Sequence, residues 1–415
     1  MRQLVLAVAL LLAAAPGASA GLQLVATTQL RPRLQELTFR TDALKADTHV
    51  RILRPAGFDP SRRYPVLYLL HGCCDDYRSW SDKGDVERIV GDRPLIAVMP
   101  DGGNGGFYSD WYNGGAFGPP EWERYHVRQL VPWIDANLPV VAGRHGRAIV
   151  GLSMGGFGAM SYAARHPDLF IAAASFSGAV NTMDAGGLSA EPISMQDGGR
   201  PGDIWGLRAV QETRWRAHNP TDLAANLRGM RLEIRTGNGL PGGPYGGGPD
   251  VLEIGVHAMS TEFHQALDDL HIAHVFQDYG PGAHTWPYWQ RDLKLTLPVF
   301  MAAFAGGNHI PPKVTFTAAE RRYRAFGWRV AVARLEELAF TTLRDASRHG
   351  FTISGDPKAT ATVLTAPLFG AGARYQVRVG GTARTLRARP DRRLRIVAPL
   401  GVAVRINPLS WLLRK

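Results

Sequence analysis

The chain has 415 residues, with 47 Lys and Arg against 36 Asp and Glu, a formal net charge of +11 and a pI near 9.9. A hydrophobic share of 45% excludes global disorder, and at roughly 150 residues per domain the length predicts two or three domains. Two cysteines exclude a disulfide scaffold and any multi-cysteine zinc module, while the basic balance calls for an acidic partner such as nucleic acid, anionic lipid or an anionic wall polymer.

Residues 1–20 read MRQLVLAVALLLAAAPGASA. Arg2 supplies a positive start, Leu4 to Ala15 is an apolar run, and Ala18-Ser19-Ala20 is a small-x-small cleavage site, so this segment reads as a signal peptide. Its apolar run is shorter than the about 20 residues that a membrane-spanning helix needs. The expectation is a secreted chain starting near Gly21, extracellular or associated with the cell envelope. Export argues against a nucleic-acid partner.

From about residue 48 to 305, short apolar runs alternate with amphipathic stretches. Runs such as Val50–Leu53, Pro65–Leu70, Leu95–Met99, Ala148–Val150, Phe170–Ala174, Leu232–Ile234 and His274–Phe276 predict strands. Stretches near 121–138, 154–166, 250–270 and 286–304 predict helices. The alternation implies an α/β fold whose mostly parallel sheet is covered on both faces, with functional residues on loops at the carboxyl ends of the strands.

Residues 147–157 read RAIVGLSMGGF. Here Gly151-Leu152-Ser153-Met154-Gly155 is G-x-S-x-G in the context of strand, turn and helix, which predicts a nucleophilic Ser153 on a strained turn. Glycine is needed on both flanks because a side chain there would collide with neighbouring backbone. The helix that follows aims its free N–H groups at a developing oxyanion. A serine nucleophile needs a base. His284, in Gly280-Pro-Gly-Ala-His-Thr-Trp286, lies on a loop after the last strand run and before a helix, where that base must hang. His257, His264 and His271 recur at intervals of seven on one predicted helix and read as a solvated or packed face. His271 and His274 lack the companions of a metal site, and no metal is expected. The acid that orients the base should follow Leu232–Gly237, and spacing leaves Asp250 and Glu253 open. Gly237-Asn-Gly-Leu-Pro-Gly242 fits G-x-G-x-x-G, but Pro241 and the glycines after it leave no helix where a dinucleotide needs one, so no cofactor is expected.

After Ala305 the texture changes. Gly306-Gly307-Asn308 and Pro311-Pro312 form a linker-like break, and short alternating runs follow: Trp328–Val332, Phe351–Ile353, Thr360–Val363, Tyr375–Val379 and Leu394–Val397. They predict a small antiparallel, sandwich-like β domain. The expected division is 1–20 signal peptide, 21–305 catalytic domain and 306–415 accessory domain. Residues 306–415 hold 20 Lys and Arg against 6 Asp and Glu, whereas residues 1–305 hold 27 against 30. The basic excess therefore belongs to the β part, with clusters at Arg321-Arg322-Arg324 and from Arg384 to Arg395. This predicts a tether to anionic envelope polymer or lipid.

Residues 60–304 resemble the antigen 85 mycolyltransferase and esterase D branch of the α/β-hydrolases. The resemblance is carried by Tyr68-Leu-Leu-His-Gly72 with Asp75-Asp-Tyr77 and Trp80, Phe107-Tyr-Ser-Asp-Trp-Tyr112, Gly151-Leu-Ser-Met-Gly155, Gly237-Asn-Gly239 and His284-Thr-Trp-Pro-Tyr-Trp289. It implies an α/β-hydrolase fold and a Ser153–Glu253–His284 triad, with Asp250 as the second choice of acid. It implies oxyanion donors at the backbone N–H of Cys73 and Met154, and substrate contacts at His71, Trp111 and Trp286. Where antigen 85 proteins carry Asp-Gly-Leu-Arg, this chain has His71-Gly72-Cys73-Cys74. The sugar-contacting aspartate is thus replaced and the arginine has no counterpart, while His-Gly is the usual form in general esterases. The two adjacent cysteines are expected as free buried thiols. The implied activity is a serine acyl hydrolase or acyltransferase acting on an ester or acyl donor, with water, a sugar or glycerol as acceptor. Two further readings are a polysaccharide side-chain deacylase of feruloyl or acetyl esterase type, and a non-catalytic surface adhesin on a hydrolase fold.

Overall fold

The computed structural model describes residues 21–183, 193–307 and 310–409, so the signal-peptide reading of 1–20 lies outside the described residues. The strands of the first part are β1 (Leu22–Arg31), β2 (Leu34–Thr41), β3 (Thr48–Leu53), β4 (Val66–Leu70), β5 (Ile96–Pro100), β6 (Arg147–Leu152), β7 (Ala172–Phe176), β8 (Arg231–Thr236) and β9 (Val275–Asp278). They form one nine-stranded sheet in the order β1-β2-β3-β5-β4-β6-β7-β8-β9. From β5 to β9 neighbours run parallel, while β1, β2, β3 and β5 pair antiparallel. The hairpin β1–β2 is an element the apolar runs did not announce. Most of β1 is exposed, so no buried run marks it.

The continuous apolar strands serve two cores at once. Val66, Tyr68 and Leu70 of β4 join one cluster, and Leu67 and Leu69 join another. This period of two is why the parallel strands read as unbroken hydrophobic runs. The helices that cover the two faces are α1 (Ser79–Asp82), α2 (Val86–Val90), α3 (Val131–Asn137), α4 (Met154–Arg165), α5 (Arg208–His218), α6 (Val251–Asp269) and α7 (Trp286–Ala305). A π-helical segment, Arg124–Leu130, leads into α3. Residues of α3, α4 and α6 close the first core, and those of α1, α2 and α7 close the second. Among the described residues no helix is long and apolar enough to cross a membrane.

The second part contains β10 (Val314–Glu320), β11 (Arg322–Ala325), β12 (Trp328–Ala333), β13 (Leu338–Ser347), β14 (Gly350–Ser354), β15 (Thr360–Leu364), β16 (Arg374–Val379), β17 (Thr382–Arg387), β18 (Arg395–Pro399) and β19 (Ala403–Pro408). One sheet has the order β10-β13-β14-β19-β16-β17 and the other β11-β12-β15-β18, all antiparallel. Alternate residues of both sheets, including Phe316, Trp328, Val363 and Ile396, share one core, as a sandwich requires.

Polar bridges join the two parts. The Asn226 side chain donates to the Thr317 carbonyl at 2.9 Å and accepts from the Thr317 N–H at 2.8 Å. Arg165 on α4 reaches Glu123 at 3.1 Å and Glu320 at 2.8 Å. Burial opposes the charge on Glu123, but Arg165 and then His166 hold its carboxyl well below the usual range. Arg165→Ala strips the guanidinium from two carboxylates. We expect a loss of about 3 kcal/mol on chemical denaturation, the lower end for a broken buried pair, because Glu123 keeps His166 and Glu320 is partly exposed. A loss below about 0.5 kcal/mol would mean the bridge contributes nothing.

Candidate active site

The site forms where β4, β6, β7, β8 and β9 end at their carboxyl edges. Ser153 occupies the turn between β6 and α4 with φ 54° and ψ −122°, a conformation that L-residues rarely hold. The turn is tight enough to exclude side chains on both flanks. A Cβ on Gly151 would lie 1.8 Å from the Gly155 carbonyl oxygen, and one on Gly155 would lie 2.4 Å from the Leu70 carbonyl oxygen. The Ser153 side chain is left 8% exposed.

Glu253 lies in the first turn of α6 and is fully buried. Its Oε1 accepts from Ser177 Oγ at 2.8 Å, Thr236 Oγ1 at 3.1 Å and the Gly237 N–H at 2.7 Å. Its Oε2 lies 2.7 Å from His284 Nδ1. With three donors on Oε1, this carboxylate leaves Oε2 to accept from Nδ1–H of His284. The opposite nitrogen, His284 Nε2, is buried and has no hydrogen-bond partner among the described residues. The two acids left open by spacing are thereby separated. Asp250 caps α6, accepting from the Leu252 and Glu253 N–H groups at 3.1 Å each through Oδ1, and takes the backbone N–H of His284 at 2.7 Å through Oδ2. It clips the acid's helix to the histidine's loop and leaves the imidazole to Glu253. Burial opposes its ionisation, but the N–H groups of His284, Glu253 and Leu252 together hold its carboxyl below the usual range.

Met154 opens α4, and neither its N–H nor that of Cys73 donates to a protein acceptor among the described residues. A Cβ on Gly72 would lie 3.1 Å from Ser153 Cβ, so the loop after β4 runs against the serine. Cys73 and Cys74 are joined as a vicinal disulfide, which corrects the expectation of free thiols. They are the chain's only cysteines and are neighbours, so no longer loop had to close. Cys74 N–H donates to the Asn104 carbonyl, and the Asp197 carboxylate holds the Asn104 and Gly105 N–H groups at 2.9 Å each. Asp197 is a bracing residue that no motif marks, since it is more than ninety positions from the loop it holds.

Two of the expected substrate contacts are placed otherwise. His71 is 0% exposed, with Nδ1 at 2.8 Å from the Gly72 carbonyl and Nε2 accepting the Gly102 N–H at 2.8 Å. Both nitrogens are committed to backbone, so His71 braces the loop and does not face a substrate. Trp111 is a core residue whose indole N–H donates to the Gly106 carbonyl at 3.0 Å. Trp286 does adjoin the site. It stands edge-on to Trp80 and Trp289, and Trp289 stands edge-on to His284 at 4.9 Å. Trp289 also donates to Ser177 Oγ at 3.3 Å. No motif marks Ser177, although it sits just past β7, where site residues gather, whereas Trp289 ends the His284 segment that carries the resemblance.

On α7 beneath the site, Asp292 is fully buried, and burial pushes its carboxyl up to about 7, with the charge of Glu253 adding to the effect. His271 lies beyond the end of α6, not on the helical face expected for it. His264 and His274 meet at 2.7 Å beside Asp268.

Residues 41–300 match the family described as "Putative esterase". An esterase of Mycobacterium tuberculosis is 34% identical over 274 residues, which cover 64% of this chain and 59% of the relative, so the chain spans less than two thirds of that protein. The diacylglycerol acyltransferase/mycolyltransferase Ag85B of Mycolicibacterium smegmatis is 33% identical over 249 residues, 56% of this chain and 75% of its own. Among solved structures, a ferulic acid esterase is 26% identical with a TM-score of 0.50, covering 65% of this chain and 98% of that one.

Proposed function

The chain belongs to the esterase family and is an ester-acting enzyme, and on that premise we propose that it is a secreted serine acyl hydrolase or acyltransferase working through Ser153, His284 and Glu253. The observation that carries this reading is the state of His284, with one nitrogen bound to a buried carboxylate and the other buried and unpartnered. That second nitrogen takes the Ser153 proton as Oγ attacks the ester carbonyl. The N–H groups of Met154 and Cys73 receive the oxyanion. Collapse expels the alcohol, which takes the proton from His284, and leaves an acyl group on Ser153. Water then regenerates the enzyme as a hydrolase; a sugar or glycerol hydroxyl makes it a transferase. Acceptor affinity and water exclusion, not the triad, decide between them. Trp286 lines the acceptor side.

A second reading, a deacylase of polysaccharide side chains, is favoured by the likeness to a ferulic acid esterase and by His71-Gly72 in place of the sugar-contacting Asp-Gly. In either case residues 306–415 are an accessory domain that holds the enzyme at anionic envelope material. A fluorophosphonate probe tests the catalytic claim. We expect one label per chain, at Ser153, and none on Ser153→Ala. Labelling that survives the substitution, or no labelling of the native chain, sinks the Ser153 mechanism. Turnover of p-nitrophenyl esters of several chain lengths, with and without glycerol or sugar, then separates hydrolysis from transfer.

A further inference from the structure

The strand register of the smaller sheet places its arginines in a row. Arg324 of β11 lies directly opposite Arg329 of β12, Arg329 opposite Leu364 of β15, and Leu364 opposite Arg395 of β18. At about 4.8 Å per strand the row spans roughly 15 Å across the sheet. Arg322 begins the neighbouring row on the same face, followed by Ala331, Thr362 and Val397. This outer face keeps its arginines exposed. It lines a cavity of about 1030 Å³ whose opposite wall includes Val127, Arg128 and Pro132 of the catalytic part. Arg165, at the same cavity, is neutralised by Glu123 and Glu320. Arg322, Arg324, Arg329, Arg395 and Arg128 make no ion pair or side-chain hydrogen bond among the described residues.

Like charges directly opposite on a sheet destabilise it. The larger sheet also opposes Arg374 to Arg387 and Arg378 to Arg405, but these do not line the cavity. Inside a cleft the repulsion is less screened, and an anion threaded between the arginines would relieve it. Guanidinium forks suit phosphate and carboxylate oxygens alike. The shape of the site decides the rest. A flat bilayer does not follow a concave cleft walled by both parts of the chain, whereas a single extended polymer strand can lie along it. No exposed aromatic residue stands in either row to stack a nucleic-acid base.

We propose that the cleft between the four-stranded sheet and the helix wall of the catalytic part binds one strand of an anionic polymer, carrying phosphate or carboxylate groups at intervals, through Arg324, Arg329 and Arg395. This deepens the reading of residues 306–415 as the anchoring part and does not depend on the triad. The test is binding of fluorescent poly(glycerol phosphate) and of polygalacturonate to the full chain, beside vesicles containing phosphatidylglycerol. We expect salt-sensitive binding to at least one soluble polymer, and the polymer that binds identifies the anionic group. Combined Arg324→Gln, Arg329→Gln and Arg395→Gln weakens binding at least tenfold, while Arg374→Gln, Arg378→Gln and Arg405→Gln together change it less than threefold. Ser153→Ala binds like the native chain, so failure of the esterase mechanism and failure of this site give different results. As a check independent of the triple variant, Arg324→Gln alone should raise Tm without polymer and reduce the rise in Tm that polymer gives the native chain. Equal losses in both triple variants, binding to vesicles alone, or no binding at low salt overturns the proposal.

Discussion

Replacing His284 by alanine is expected to lower kcat for a p-nitrophenyl ester by about five to six orders of magnitude in a chain that still folds. A serine hydroxyl is a poor nucleophile near neutral pH and needs a base placed to take its proton. The imidazole of His284 is held at Nδ1 by the buried Glu253 carboxylate, and among the described residues its Nε2 has no hydrogen-bond partner. If Ser153 and His284 act as one unit, the double variant Ser153→Ala/His284→Ala should lose no more than about the worse single variant. A kcat for His284→Ala above about 1% of native, or losses that multiply in the double variant, would remove His284 from the mechanism.

The second large effect separates the two acids. Oε1 of Glu253 accepts from three donors, Ser177, Thr236 and the Gly237 N–H. In Glu253→Gln those donors keep the amide oxygen on their side, so the amide NH2 turns to His284 Nδ1. That nitrogen must then accept, which moves the ring proton to Nε2, the nitrogen that should take the serine proton. The wrong tautomer predicts a fall in kcat of roughly four orders of magnitude with the fold intact. Asp250→Asn acts on different groups. It weakens the helix cap and the hold on the His284 backbone, with an expected cost of about 1–2 kcal/mol in stability and at most about a hundredfold in kcat. If Asp250→Asn costs more kcat than Glu253→Gln, the roles are reversed. The pH dependence has a definite sign. The folded carboxyl of Asp250 lies below its ordinary value. Its contribution is therefore complete above about pH 4 and is lost as pH falls through the folded value. The stability gap between the native chain and Asp250→Asn, read by denaturant titration, should be full at pH 6 and narrow at pH 3.

Residue type and spacing were informative wherever function forces local geometry. Gly151 and Gly155 flank Ser153 because backbone oxygens occupy the space a Cβ would need, so the motif is written in the chain itself. The buried parallel strands read as apolar runs because both faces are covered, and His284 stood out because it closes the loop after the last of them. The hairpin β1–β2 escaped because an exposed edge strand such as β1 leaves no run of buried residues. In the second part β10, β11, β13, β17 and β19 escaped for a related reason, since one face of each is polar and often basic.

By itself the sequence determined the α/β class, the elbow serine, the candidate base and the concentration of positive charge after residue 305, since each rests on local pattern or composition. Spacing left Asp250 and Glu253 open, because both sit at the start of one helix and differ only in what they meet, and only the family resemblance favoured Glu253. Tertiary structure brought donors from two other segments, Ser177 and Thr236-Gly237, to Glu253 and set its other oxygen on the His284 ring. It also withdrew His71 from the substrate side, by committing both of its nitrogens to distant or neighbouring backbone. Strand register, which no single segment encodes, set Arg324, Arg329 and Arg395 in one row facing a cleft. Side chains far apart in sequence acquire partners only when the chain closes, and the partners decide which acid orients a base and which arginine awaits a ligand.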